Sequence, residues 1–332
     1  MNKEEKLIYF CIHPESHNFN SAIKSLLFSN LNWFNILYLC RYHEVNNLLY
    51  YKLRKMQYLS YIPQNVSEIL KSHYENTRIK NMLRCEEISN LIDKLKNINL
   101  LLYKGIILSN TVYEDIELRE FSDIDVLAKE KDVNYIREIM INDGYKEKKQ
   151  KNSYLFIKLL RKDVYCFVEL HTQIVPERPY KIEMPLIWQR AQKLSFYGRI
   201  INYPSKEDMF VILALHIRRH TRRLALKFIC DIANIINLYK DKMDWDYIYD
   251  LSKKNHIKNT IYFSFYIIKE LFCFDLPYEI INRFRPYFLT RKFIHICMNK
   301  NNFLNPYIWQ GYILRLFLFD NFFDFLLYLY KK

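Results

Sequence analysis

Glycine and proline are scarce in this chain of 332 residues, with 4 and 9 copies. Tight strand reversals draw on glycine and other residues that accept positive φ. So few of them argue against an all-β fold and for a mainly helical protein with a small sheet. Cysteine is sparse as well. The seven stand at 11, 40, 85, 166, 230, 273 and 297, no two in a Cys-x-x-Cys spacing, and the count is odd. That argues against a disulfide framework and a thiolate zinc site, and it points to a reducing compartment. Long apolar runs are missing too. The only run near the start, Leu7 to Ile12, is too short for a signal-peptide core. No stretch reaches the 18 or so apolar residues of a membrane-crossing helix. The expected location is cytoplasmic.

Apolar side chains are what the chain does have. Half of its residues are hydrophobic, enough for a full core, and the length suggests two domains or one with a large helical bundle attached. The formal net charge is +14. It suits a polyanionic partner such as a nucleoside triphosphate, a nucleic acid or an anionic membrane surface, but a nucleic-acid role rests on that charge alone.

Residues 1–95 read as a helical region. Residues 96–200 alternate strand and helix patterns and read as an α/β core. Residues 201–332 return to helices. The whole is therefore expected to be α+β, a small mixed sheet with flanking helices between N- and C-terminal helical regions. Pro176, Pro179 and Pro185 mark an irregular crossing segment after the core. Residues 206–239 read as one long helical region, with Ser205 as its N-cap and Asp208 completing the cap. Tyr307 to Tyr330 reads as a strongly aromatic packed helix interrupted by Arg315, Asp320 and Asp324.

The chemistry concentrates between Leu101 and Ala128. An apolar run ends in Lys104-Gly105, where glycine allows close backbone approach to a phosphate. Further on, Ser122-Asp123-Ile124-Asp125 begins a second apolar strand. Strand side chains alternate, so Asp123 and Asp125 share a face, roughly 6.6 Å apart along the strand. Charges in a half-buried strand are costly unless paired or bound to metal. An isolated Asp-x-Asp is common on solvated strand edges. A third carboxylate, Glu169, lies in the apolar strand Cys166-Phe-Val-Glu-Leu-His171. If that strand lies beside the first, Asp123, Asp125 and Glu169 form a triad for Mg²⁺ or Mn²⁺. The densest basic cluster, His216-Ile-Arg-Arg-His220-Thr-Arg-Arg223, reads either as a phosphate clamp or as a solvated basic helix face. Asp231 follows among apolar residues.

Taken together, these residues are similar to a known signature. Leu102-Tyr103-Lys104-Gly105, then Leu108 and Tyr113, then Leu118-Arg119-x-Phe121-Ser122-Asp123-Ile124-Asp125-Val126-Leu127, resemble the uncharacterised nucleotidyltransferase family NTP_transf_5 of the polymerase-β-like superfamily. Val168-Glu169-Leu170-His171 resembles its third-carboxylate strand. His216, His220, Leu224 and Asp231-Ile232-Ala233 resemble its downstream helical motif, and Trp33 with Arg41-x-His43-Glu44-Val45 its N-terminal part. The resemblance spans residues 30–240 or so. It implies transfer of a nucleoside monophosphate from an NTP, ATP among them, to a hydroxyl-bearing acceptor. In that reading Asp123, Asp125 and Glu169 hold the metal and do the catalytic work. Lys104, Gly105, Ser122, Arg119, His216, His220 and Arg223 contact the nucleotide, while His171 and Asp231 support the site. Two other readings stand beside it: a catalytically inactive, regulatory or antitoxin-like binding module on the same fold, and a member that modifies nucleic acid.

Overall fold

The computed structural model describes residues 1–150, 153–174, 182–274, 276–298 and 308–330. Over these the chain forms two compact units, one of residues 1–74 with 213–330, the other of residues 75–174 with 182–212. The N- and C-terminal helices thus belong to one unit. The unit boundary falls within the helix Gln64–Lys94, earlier than residue 95.

The second unit is built on a seven-stranded mixed sheet: β1 (Leu101–Tyr103), β2 (Asp123–Leu127), β3 (Lys146–Lys149), β4 (Tyr154–Arg161), β5 (Val164–His171), β6 (Gln192–Phe196) and β7 (Arg199–Tyr203). Their spatial order is β3-β4-β5-β2-β1-β7-β6. β2 runs parallel to β5 and antiparallel to β1, so the two acidic strands lie side by side at the centre. The fold is α+β, as expected.

Alternation divides the central strands between two faces. Leu102, Val126, Val168 and Leu170 on one face line a small cavity with Ile88, Leu91, Ile136 and Met140. Those partners come from the long helix and from the helix Val133–Asn142, so this face is the apolar core of the unit. The second helix stops as its sequence predicts. Gly144 takes φ +86°, and Tyr145 N–H returns to the Met140 carbonyl at 3.0 Å. The opposite face of the same strands carries Tyr103, Asp125, Glu169 and His171.

Three local expectations need revision. The segment after β5 is not irregular throughout. Pro176 and Pro179 lie outside the described residues, but Pro185 opens the helix Met184–Arg190, where its missing N–H costs nothing. β6 and β7 then form a hairpin turning on Tyr197 (φ +47°) and Gly198 (φ +77°). The long helical region is two helices, Lys206–Arg219 and Leu226–Tyr239, separated by a 3₁₀ turn at Thr221–Arg223. Its start is as expected, with Asp208 N–H on Ser205 Oγ at 3.2 Å and Ser205 Oγ on Asp208 Oδ2 at 2.6 Å. Finally, the aromatic C-terminal stretch breaks into Ile308–Phe317 and Phe322–Tyr330, and Tyr307 lies outside the described residues. The break has a polar cause. Asp320 accepts the N–H groups of Lys258 and Asn259 at 2.8 Å each and so caps the helix Lys258–Phe272.

The first unit is all helical among its described residues. Buried His43 ties its two chain segments together, its Nδ1 accepting Leu226 N–H at 3.4 Å and its carbonyl accepting Lys227 N–H at 3.2 Å. His13 does likewise with the Phe272 carbonyl at 2.7 Å. All seven cysteines are free, and six are buried.

Candidate active site

Register decides which acidic side chains meet. Asp125 on β2 is the direct partner of Glu169 on β5, and Leu127 is the partner of His171. Parallel partners point to the same side, so Asp125, Glu169 and His171 gather on the face away from the core. One ligand atom from each lies within 4.8 Å of the others. His171 Nε2 stands 3.3 Å from Asp125 Oδ1 and 3.3 Å from Glu169 Oε2. That is long for a charge-assisted hydrogen bond. The imidazole packs edge-on against the buried Tyr103 ring, with centroids 6.0 Å apart. His171 Nδ1 is buried and has no hydrogen-bond partner among the described residues.

Lys104 closes the group. Its Nζ lies 2.6 Å from Asp125 Oδ1, over the Tyr103 ring. Lys104 itself takes φ +57°, an uncommon backbone for a residue with a side chain. The next residue must be glycine for a reason other than phosphate approach. A Cβ on Gly105 would sit 2.7 Å from Phe121 Cβ, inside van der Waals contact. Arg119 is buried beside this turn, its guanidinium donating to the Glu120 carbonyl.

Burial alone would raise the Asp125 pKa, but Lys104 and His171 outweigh it and hold the carboxyl below its ordinary value. Glu169 is held down chiefly by His171, against partial burial and the Asp125 charge. For His171, burial works against protonation, yet the two carboxylates prevail and its pKa is raised. The result is one Lys and one readily protonated His facing two ionised carboxylates. A donor set of two carboxylates and an imidazole, converging with slack between its atoms, fits a divalent cation.

Asp123 lies at the exposed beginning of β2, two residues from Asp125, and takes a hydrogen bond from Ser122 Oγ at 3.3 Å. It is not among the converging ligand atoms, whereas His171 is. The basic cluster belongs to the other compact unit. There His216 and His220 lie ring to ring at 4.4 Å and both pack on Phe228. Arg223 lies over the Tyr42 ring. Asp231 is fully buried in the helix Leu226–Tyr239.

Arg84 was not singled out by the sequence. It is buried in the long helix, and its guanidinium donates to the Phe121 carbonyl at 2.6 Å and the Tyr165 carbonyl at 3.1 Å. It therefore pins the entrance of β2 to β5 just before Ser122-Asp123. Nothing marks this arginine among the other polar residues of a 31-residue helix.

The model of a family described as uncharacterised nucleotidyltransferase matches residues 29–273. No curated protein sequence matches the chain. Solved structures similar over part of it include two nucleotidyltransferase-type proteins. One is the lincosamide antibiotic adenylyltransferase LnuA in its lincomycin-bound form, 16% identical with a TM-score of 0.35, covering 47% of this chain and 96% of LnuA. The other is an antigenic nucleotidyltransferase-like protein from Paracoccidioides brasiliensis, 19% identical with a TM-score of 0.34, covering 48% of this chain and 76% of its own.

Proposed function

We propose, from the premise that this chain belongs to the uncharacterised nucleotidyltransferase family, that it moves an NMP from an NTP to a hydroxyl-bearing acceptor of saccharide, small-metabolite or protein class. The observation that carries this reading is the pairing of Asp125 with Glu169 across β2 and β5, with His171 and Lys104 against them. Asp125, Glu169 and His171 would hold Mg²⁺ or Mn²⁺. The imidazole favours Mn²⁺ somewhat, since Mg²⁺ prefers an all-oxygen shell. Such a cation, when bound, neutralises phosphate charge and helps the acceptor hydroxyl lose its proton.

The chain's own groups have distinct tasks in this reading. Lys104 is the cation placed to turn from Asp125 to a phosphate oxygen once the carboxylate has another partner. Glu169, partly exposed where Asp125 is not, is placed to receive the proton of the acceptor hydroxyl. Asp123 and Ser122, at the open end of β2, can reach substrate without a burial cost. Arg119, beside the Gly105 turn with its guanidinium on the Glu120 carbonyl, is a further candidate for nucleotide contact. His216, His220, Arg223 and Asp231, which the resemblance assigns to nucleotide contact and support, lie in the other compact unit and are given no step here.

The test is an assay with each α-labelled NTP, Mg²⁺ or Mn²⁺, and a cell extract as acceptor source. Wild-type protein is expected to put label on an acceptor, and Glu169→Gln to lose at least about 100-fold of the rate. Label transfer that persists in Glu169→Gln would refute the assignment.

A further inference from the structure

A second feature lies in the all-helical unit, on the helix Phe288–Cys297 and the residues leading into it. Leu289, Lys292 and Ile296 recur at helical spacing, so they share a face. Leu289 is 64% exposed and Ile296 55%, while Tyr287 and Phe288 just before them are 88% and 66% exposed. Large apolar side chains this exposed, side by side, are unusual on a monomer and mark a contact surface. The charges among them have one sign. Arg285 and Lys292 are exposed, and no acidic residue lies between Arg283 and Cys297. From Arg283 to Lys332 the sequence holds eight Lys or Arg against two acids, Asp320 and Asp324. Asp320 caps the backbone of Lys258 and Asn259 and Asp324 is buried, while Arg283 is paired with Asp246 at 2.6 Å and Arg315 is buried, so the cations this face presents are Arg285 and Lys292.

We propose that this face docks on an anionic lipid surface. Aromatic and aliphatic side chains interleaved with cations are what a headgroup layer accepts, the rings entering the interface and the cations meeting lipid phosphate. A second copy of the chain fits less well, because a face-to-face pair would set Arg285 and Lys292 against their own likenesses. The helix Phe322–Tyr330 repeats the apolar part of this pattern, with no cation of its own. Phe323, Leu326, Leu327 and Tyr330 are exposed along one stripe, and Lys331-Lys332 follow in sequence. No helix among the described residues is long and apolar enough to cross a membrane, so the contact would be peripheral.

Flotation of the full chain with vesicles tests this, using phosphatidylcholine alone and phosphatidylcholine with roughly a third phosphatidylglycerol. The wild type is expected to float with the anionic vesicles only and to be released by high salt. Two double variants separate the components. Phe288→Ser with Leu289→Ser removes the apolar contact, and Arg285→Glu with Lys292→Glu reverses the charge. Each is expected to weaken binding about tenfold or more without changing the unfolding midpoint, because all four side chains are exposed. Equal binding to neutral vesicles, no binding to either, or binding indifferent to the charge variant would overturn the proposal. So would sedimentation showing a dimer that the apolar variant dissolves while vesicles bind nothing.

Discussion

Lys104 and Asp125 form an ion pair at 2.6 Å, and the Asp125 side chain is only 3% exposed. A nearly buried carboxylate is tolerated because a cation is built beside it, and the cation comes from a strained backbone position one residue before Gly105. Lys104→Met should therefore do two things. It should destabilise the metal-free protein by about 1–3 kcal/mol, since Asp125 keeps only His171 as a counter-charge. It should also increase the stabilisation gained from Mn²⁺, which takes over the missing charge. Thermal unfolding with and without Mn²⁺ reads both effects. A variant that Mn²⁺ stabilises no more than the wild type would count against the site.

His171 makes the site pH-sensitive. Its folded pKa lies above 6.5 because two carboxylates face it. The stability from this pairing is therefore fully present below about pH 6.5 and is lost as pH rises through the folded value. Asp125 acts in the opposite direction. Its pKa is depressed, so its contribution is present above about pH 4 and lost on acidification through the folded value. A metal needs the neutral imidazole, so binding should release a proton and tighten as pH rises. Calorimetry in two buffers of different ionisation enthalpy measures that release, and His171→Gln should reduce it.

Gly105 is held by packing against Phe121. Gly105→Ala would bring a methyl group within 2.7 Å of Phe121 Cβ, a backbone-proximal atom that cannot swing away. The expected cost is about 1–3 kcal/mol, read from the denaturant midpoint. Because the displaced turn carries Lys104, nucleotide affinity should fall as well.

Arg84→Met leaves the carbonyls of Phe121 and Tyr165 without the donor that joins them. A loss of about 2–4 kcal/mol is expected, from two hydrogen bonds to a charged group. Lysine should not restore it, since one ammonium cannot reproduce the two-pronged geometry. Chemical denaturation of both variants checks this.

What the sequence made legible follows from local pattern. β2 and β5 stood out because Asp123, Asp125 and Glu169 break apolar runs, and register then sets Asp125 beside Glu169. His171 was expected only as support, yet its place two residues after Glu169 puts it on the same face as the carboxylates. Asp123 shares their face by alternation, but it starts the strand, where exposure separates it from the converging atoms. The β6–β7 hairpin was missed although Tyr197-Gly198 is a two-residue turn, because the flanking strands bury few residues and alternate weakly. The grouping of residues 1–74 with 213–330 depends on distant partners such as His43 with Leu226 and His13 with Phe272. No periodicity within either segment encodes such pairings.

Asp125 and Glu169 are the proposed divalent-metal site for a nucleotide. Mn²⁺ binding followed by electron paramagnetic resonance, with a non-hydrolysable NTP analogue present, tests it most directly. One or two bound Mn²⁺ are expected in the wild type, with loss of at least one in both Asp125→Asn and Glu169→Gln. No bound Mn²⁺ in the wild type, or unchanged binding in both variants, would contradict it.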